Sequence, residues 1–266
     1  MHYQTPRVLL QQFLIIRMEG HLPFKRRPFA CDAEGIIQSG VSRELLYGYL
    51  SEYQKNCLSM PGCVYSHIYE IVFDEPSDDY VVRTLTVWEN EGYQSENFLQ
   101  DHLQETHEKV FPLLKRYPSF SFWVQMNGGL FQHVLLKHFD QENLQSSKFG
   151  SSFGECVEND LIVSYRWKSN HFRQIDSCLA QLFGLRDIAM KLQHSSTTIE
   201  CKDYDLYLTH NADDPNEIME HSIWTSRDAY NHFKELPEVR ALRSQISLGF
   251  GKEPEISIWK KFSDCF

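Results

Sequence analysis

Apolar residues recur along this chain with two different periods. Alternating or continuous apolar runs predict strands, and apolar residues spaced three and four apart predict helices. In the first half we predict strands at 8–18, 63–73, 80–88 and 119–126 and helices at 42–58 and 95–117. Ser42 and Ser95 are the expected N-caps of these helices. Residues 19–41 carry prolines and glycines and are predicted to form a loop.

The second half repeats much of this pattern. We predict strands at 161–167, 187–192, 204–209, 218–224 and 255–262, with helices at 171–183 and 228–246. Pro237 is expected to break the later helix, because proline lacks the backbone N–H that a helix interior uses. Glycine and serine runs indicate a linker between the halves, although residues 130–139 are apolar enough for a short element.

Two short matches indicate an internal duplication. Ser119-Phe-Ser-Phe-Trp123 matches Glu255-Ile-Ser-Ile-Trp259, and His102-Leu-Gln-Glu105 matches His232-Phe-Lys-Glu235. The order β-α-β-β-α-β is that of a ferredoxin-like unit. The predicted fold class is therefore α+β, with two tandem ferredoxin-like units packed as an intramolecular pseudo-dimeric barrel. The expected boundaries are 1–127 for the first repeat, 128–159 for the linker and 160–266 for the second repeat.

Composition narrows the choice of partners. The net charge of −10 argues against binding to nucleic acid or to an anionic membrane, since both need clustered cations. The seven cysteines are widely spaced without a C-x-x-C pair, so we expect reduced thiols in a cytoplasmic protein. An apolar core of this aromatic content suits a small hydrophobic or aromatic ligand as the partner. The protein is expected to be a monomer with an internal pseudo-dimer, or a homodimer.

His107 is the leading candidate for chemistry. Leu103, Val110, Phe111 and Leu114 lie at helical spacing from it, which places His107 on the apolar stripe that faces the sheet. His102 lies five residues earlier, about 140° around the helix, so both cannot face one cavity. The alternative reading of His107 is a buried histidine with a satisfied hydrogen bond.

The repeats resemble the antibiotic-biosynthesis monooxygenase superfamily of dimeric α/β barrels. The first repeat most resembles its heme-degrading branch, through Thr84-Leu85-Thr86-Val87-Trp88 and through His107 nineteen residues after that tryptophan. The resemblance implies that His107 binds heme as the axial ligand of the metal. The sequence departs from that branch in two places. The predicted first strand, 8–18, contains no asparagine, and Asn97 stands where the branch has a second tryptophan.

These features predict a monooxygenase that acts on heme or on a phenolic aromatic in an apolar cleft of the first repeat. The alternative is a non-catalytic binding or interaction protein that retains the fold. Arg83, Trp88 and Asn97 are the candidate catalytic residues. Arg83 would pair either with a substrate oxyanion or with Glu70, and the four repeated tryptophans can also be explained as core. The residues expected to line the cleft are Tyr65, His67, Tyr69, Arg83, Trp88 and Trp123.

Overall fold

The computed structural model describes residues 28–72, 80–98, 100–126, 159–169, 172–194, 201–209 and 217–262. Its first half contains β1 (Phe29–Ile37), α1 (Arg43–Leu58), β2 (Cys63–Ile71), β3 (Tyr80–Trp88), α2 (Glu91–Phe98), α3 (Asp101–Val110) and β4 (Ser119–Gln125). A 3-10 turn, Phe111–Leu113, follows α3 directly.

The second half repeats this order of elements. It contains β5 (Leu161–Lys168), α4 (Phe172–His194), β6 (Cys201–Thr209), β7 (Glu217–Trp224), α5 (Arg227–Glu235), α6 (Pro237–Phe250) and β8 (Glu255–Lys261). The strands follow the hydrogen-bonded order β1-β3-β2-β8-β5-β7-β6-β4 and close into a barrel. The predicted fold class, an α+β barrel of two ferredoxin-like units, is confirmed.

The first strand is where the prediction from sequence was wrong. Residues 29–37, predicted as part of a loop, form β1 and pair with both β3 and β4. Gly35, one of the glycines of that predicted loop, lies inside the strand, where a Cβ would meet the Leu114 side chain at 3.0 Å. The glycine therefore marks a close approach rather than a turn. The strand predicted at 8–18 lies outside the described residues.

The helices of the first half were predicted in part. Helix α1 begins as expected, with the Ser42 hydroxyl accepting a hydrogen bond from the Leu45 N–H. The predicted helix 95–117 is instead two helices, and Ser95 lies inside α2 rather than capping it. Asn90 provides the cap, because its side-chain oxygen accepts from the Tyr93 N–H at 3.2 Å.

One predicted strand of the second half is helical. Residues 187–192 belong to α4, where Leu182, Leu185 and Ala189 are buried at three- and four-residue spacing. Pro237 divides the later helix as expected, ending α5 and starting α6. Proline at the first position of a helix is well tolerated, since that N–H has no partner within the helix.

The chain divides into two compact units. The first contains the described residues up to Val124, with Thr209 and the residues from Trp259 onward, and the second contains Gln125–Leu208 and Asn216–Ile258. The predicted boundaries at 127 and 160 stay a prediction, because the segment between them is not described. Among the described helices, none is long and apolar enough to cross a membrane.

Candidate functional site

A pocket lies in the first unit, bordered by its sheet and its helices. Its floor is formed by Ala33 and Gly35 of β1 and by Val82 and Thr84 of β3. Ala33 is the cross-strand partner of Thr84, and Gly35 is that of Val82, so the four residues share one face of the sheet. Because two of them have the smallest side chains, this face leaves space above it.

The walls of the pocket come from the helices and from the start of β4. Leu50 and Tyr53 contribute from α1, and Thr106, His107 and Val110 contribute from α3. The pocket encloses about 490 Å³ of empty space, counting the space at its mouth. Its described walls are largely apolar, with hydroxyl groups and one imidazole as the polar groups.

His107 is buried in the wall among aromatic rings. The Phe111 ring stacks on the imidazole with 5.2 Å between ring centres and 11° between planes. The Tyr53 and Phe98 rings each lie 5.4 Å from it, centre to centre. Burial lowers the pKa of His107 to about 4, so the imidazole is neutral near pH 7.

The Nδ1 atom of His107 is buried and has no hydrogen-bond partner. Buried polar atoms in native proteins are nearly always paired, so an exception calls for an explanation. The alternative reading of His107 as a histidine with a satisfied hydrogen bond therefore has no support at Nδ1. The structure leaves a hydrogen-bonding imidazole beside the pocket.

Two hydroxyl groups lie on the pocket-facing side of the sheet, beside the floor. The Ser66 and Thr86 hydroxyls are 2.9 Å apart, and both residues are buried. Burial raises the pKa of the nearby Cys57 thiol to about 12 and raises that of Tyr53 well above its usual value. These groups are therefore neutral near pH 7, and they supply hydrogen bonds rather than charge.

Arg83 lies on the opposite face of the sheet from the pocket. Its Nε donates to Asp32 Oδ1 at 2.7 Å and its Nη2 to Asp32 Oδ2 at 2.9 Å, with both residues fully buried. The predicted pairing of Arg83 with Glu70 is wrong. Glu70 is opposite Val82 in the β2–β3 ladder, whereas Arg83 is opposite Tyr69, so the two side chains leave opposite faces.

Trp88 and Asn97 contact other protein groups and do not line the pocket. Trp88 shares the pocket-facing side of β3 but packs in a cluster with Tyr53, Cys57, Met60 and Leu103. The Asn97 amide donates to the Pro61 carbonyl at 3.0 Å and to the Tyr93 carbonyl at 2.8 Å. The catalytic roles assigned to Arg83, Trp88 and Asn97 stay predictions, and the structure does not bring these three residues together around the pocket.

The remaining residues expected in the cleft lie on the far face. Tyr65, His67 and Tyr69 pair with Val87, Leu85 and Arg83, which alternate with the floor residues of β3. Trp123 pairs with Ala30, which likewise alternates with Ala33 and Gly35. Sequence reasoning missed the floor residues Ala33, Gly35 and Thr84 because β1 was predicted as a loop.

The heme expected from the resemblance does not fit these residues. Among the described lining residues there is no lysine or arginine to pair with the two propionates of a heme. In the described part of the chain, no group of three or more His, Cys, Asp or Glu residues could hold a metal ion.

Comparisons with known proteins bear on the fold. No protein-family model and no curated protein matches the sequence. A candidate monooxygenase from Fusobacterium nucleatum has a similar structure, with a TM-score of 0.62, 8% identity and coverage of 89% of this chain and 93% of that one. A candidate monooxygenase from Lactobacillus acidophilus has a TM-score of 0.57 and 12% identity, with coverage of 89% of this chain and 95% of that one.

A third solved structure is that of an anthrone oxidase-like protein. Its TM-score is 0.54 at 10% identity, with coverage of 90% of this chain and 92% of that one. At these identities the similarity shows a shared fold. The fold expected from the resemblance, a dimeric α/β barrel carried in one chain, is confirmed over most of the length.

Proposed function

We propose that the first unit binds an electron-rich aromatic compound in its pocket and oxygenates it without a bound cofactor. The observation that carries this proposal is the neutral imidazole of His107, whose buried Nδ1 has no partner within the protein. An apolar pocket with one such acceptor suits a ligand that is mostly ring and carries a hydroxyl group. Two similar structures are of candidate monooxygenases and a third is of an anthrone oxidase-like protein, which favours the same class.

The reaction is balanced for an anthrone-type substrate. Its ring CH2 group reacts with O2 to give a ring carbonyl and one molecule of water, so no external reductant is needed. The hydroxyl tautomer of such a substrate is a phenol, and its anion is the electron-rich form that reacts with O2. The protein must therefore take up one proton and hold the resulting anion.

His107 can take this proton transiently. Transfer from a phenol with a pKa of about 10 to an imidazole with a pKa of about 4 costs about 8 kcal/mol. A turnover of about one per second corresponds to a barrier of about 17 kcal/mol, so the transfer fits within it. The imidazolium then lies beside the phenolate in a poorly hydrated pocket, where their attraction lowers this cost.

A non-catalytic binding protein is the second candidate. It is favoured by the positions of Arg83, Trp88 and Asn97, which are bonded or packed with other protein groups and do not line the pocket. Such a protein would bind the same aromatic ligand without consuming oxygen.

An oxygen electrode separates the two candidates. Wild-type protein mixed with anthrone should accelerate oxygen uptake and the appearance of anthraquinone absorbance over the buffer rate. His107→Phe should lose most of this acceleration, and His102→Phe, an exposed histidine of the same helix, should keep it. Tight binding of anthrone with no acceleration in wild type would establish the binding protein instead.

A further inference from the structure

The two units can be superposed residue by residue from their element bounds. A shift of 136 residues takes Trp88 to Trp224, Glu91 to Arg227, Asp101 to Pro237 and Ser119 to Glu255. The sequence match of His102 to His232 is a shift of 130 residues, which would put Pro237 at the position of His107, and it does not agree with these helix bounds. The shift instead places Arg243 at the position of His107.

The same comparison identifies the counterparts of the pocket floor. Thr84, four residues before Trp88, corresponds to Glu220, four residues before Trp224. Phe29 pairs with Trp88 in the first unit, and Leu161 pairs with Trp224 in the second, which aligns β1 with β5.

This alignment gives the β5 counterparts of the two small floor residues. Ala33 corresponds to Tyr165, and Gly35 corresponds to Trp167. Each pair keeps its cross-strand partner, since Ala33 is opposite Thr84 and Tyr165 is opposite Glu220.

In the second unit the side chains at the counterparts of Ala33, Gly35, Thr84 and His107 fill the space above the sheet. Tyr165, Trp167 and Glu220 are buried. The Arg243 guanidinium lies over the Tyr165 ring, 3.8 Å from its centre. Glu220 accepts hydrogen bonds from the Trp167 indole and from Arg243. The second unit thus holds a phenol and an indole of its own between the sheet and the helix.

We infer that the ligand of the first unit takes the place of these two side chains. It is a planar, hydroxylated aromatic of at least two fused rings that lies on Ala33 and Gly35, beside His107. This inference rests on the proposed function, which places an aromatic ligand in the pocket, and it adds the ligand's size, position and orientation. Ala33 and Gly35 are then the residues that determine which ligands fit.

The hydroxyl group of Tyr165 indicates a second polar contact. It hydrogen-bonds with the Tyr230 hydroxyl, and the 136-residue shift takes Gln94 to Tyr230. Gln94 is buried, and its amide Nε2 has no hydrogen-bond partner. Gln94 lies outside the residues that line the pocket, and its correspondence with Tyr230 is what assigns it as a donor to an oxygen of the ligand.

Filling the floor tests the position of the ligand. Titration calorimetry with 1-naphthol, a two-ring phenol, should give one site in wild type and none in Ala33→Tyr/Gly35→Trp. Gly35→Leu is the milder variant, because the side chain that a new Cβ meets is the flexible end of Leu114. It should weaken 1-naphthol at least tenfold. Unaltered affinity in either folded variant would overturn the assigned position.

Opening the second unit is the reciprocal test. Tyr165→Ala/Trp167→Gly should add a second naphthol site to the wild-type stoichiometry. If this variant does not fold alone, recovery of its cooperative unfolding transition by added 1-naphthol reports the same site. A folded variant with one site, or no recovery, would contradict the equivalence of the two spaces.

The role of Gln94 is tested by comparing two probes. Gln94→Leu should weaken 1-naphthol about 3- to 10-fold, the usual value of one hydrogen bond, and should leave naphthalene unchanged. Equal weakening of both probes, or of neither, would remove Gln94 from the site.

Binding and turnover fail separately in these experiments. Oxidation of anthrone with unchanged kinetics in Gly35→Leu would refute the assigned position and keep the oxygenase. One-site binding of 1-naphthol that follows the predicted variants, with no oxidation of anthrone, would refute the oxygenase and keep the assigned position.

Discussion

The buried imidazole of His107 should make the folded protein sensitive to mild acid. Its pKa is about 4 in the folded protein and about 6.5 when exposed in the unfolded chain. Between these values the unfolded chain binds a proton that the folded protein does not, so stability falls as the pH falls from about 6.5 to 4. Linkage gives a loss of about 2 kcal/mol at pH 5 relative to pH 7.5, approaching about 3 kcal/mol below pH 4.

His107→Phe removes this loss. Phenylalanine cannot be protonated, and its ring suits the aromatic neighbours Tyr53, Phe98 and Phe111. The variant should therefore lose about 2 kcal/mol less than wild type between pH 7.5 and pH 5. At pH 7.5 it should be as stable as wild type or more stable by about 1 kcal/mol, because an unpaired buried polar atom is gone.

Urea denaturation at the two pH values measures both quantities. The free energies of unfolding should be compared among wild type, His107→Phe and His102→Phe, whose side chain is exposed on the same helix. The exposed-histidine variant should follow wild type. An equal loss of stability on acidification in wild type and His107→Phe would show that burial does not lower the pKa of the His107 imidazole.

Three further predictions concern the surroundings of the site. Arg83→Leu should destabilise the protein by about 3–5 kcal/mol, since it removes the guanidinium that pairs with the buried Asp32 carboxylate, and Arg83→Leu/Asp32→Leu should recover much of that loss in urea denaturation. Ser42→Ala should cost about 1 kcal/mol in the same assay, because the Leu45 N–H loses its acceptor. Titration with heme should give no Soret shift that depends on His107. A shift in wild type that is lost in His107→Phe would contradict a cofactor-independent site.

Strand and helix positions were predictable wherever one period extended over a whole element. The bounds of β3 follow from its apolar run between polar turns, and α1 follows from its cap and its stripe. Strand β1 was not predictable in the same way. Its sequence, FACDAEGII, has small and acidic residues where a strand usually has large ones. Those residues are explained by neighbours distant in sequence, namely the pocket above Ala33 and the Arg83 guanidinium beside Asp32.

The face of the sheet that carries the pocket was harder to predict from the sequence. Alternation correctly groups Tyr65, His67, Tyr69 and Arg83 on one face of the sheet. It does not say which face carries the pocket, because both faces are buried and both carry polar groups. Arg83, predicted to pair with a substrate oxyanion or with Glu70, favoured its own face of the sheet, and the structure pairs it with Asp32 there. Only the register of β1 against β3, which depends on a strand that was missed, identifies Ala33, Gly35 and Thr84 as the floor.

The contrast between the units explains why the first can keep unpaired polar atoms. Removing a large side chain from a packed core costs several kcal/mol, so a pocket floored by Ala33 and Gly35 lowers stability relative to a filled one. The second unit has the filled arrangement, with Trp167 and Tyr165 inside a continuous apolar core. Natural sites commonly retain such destabilising features where function needs them. An empty space beside a neutral imidazole is what a binding site would preserve, and ordinary core packing would have filled it.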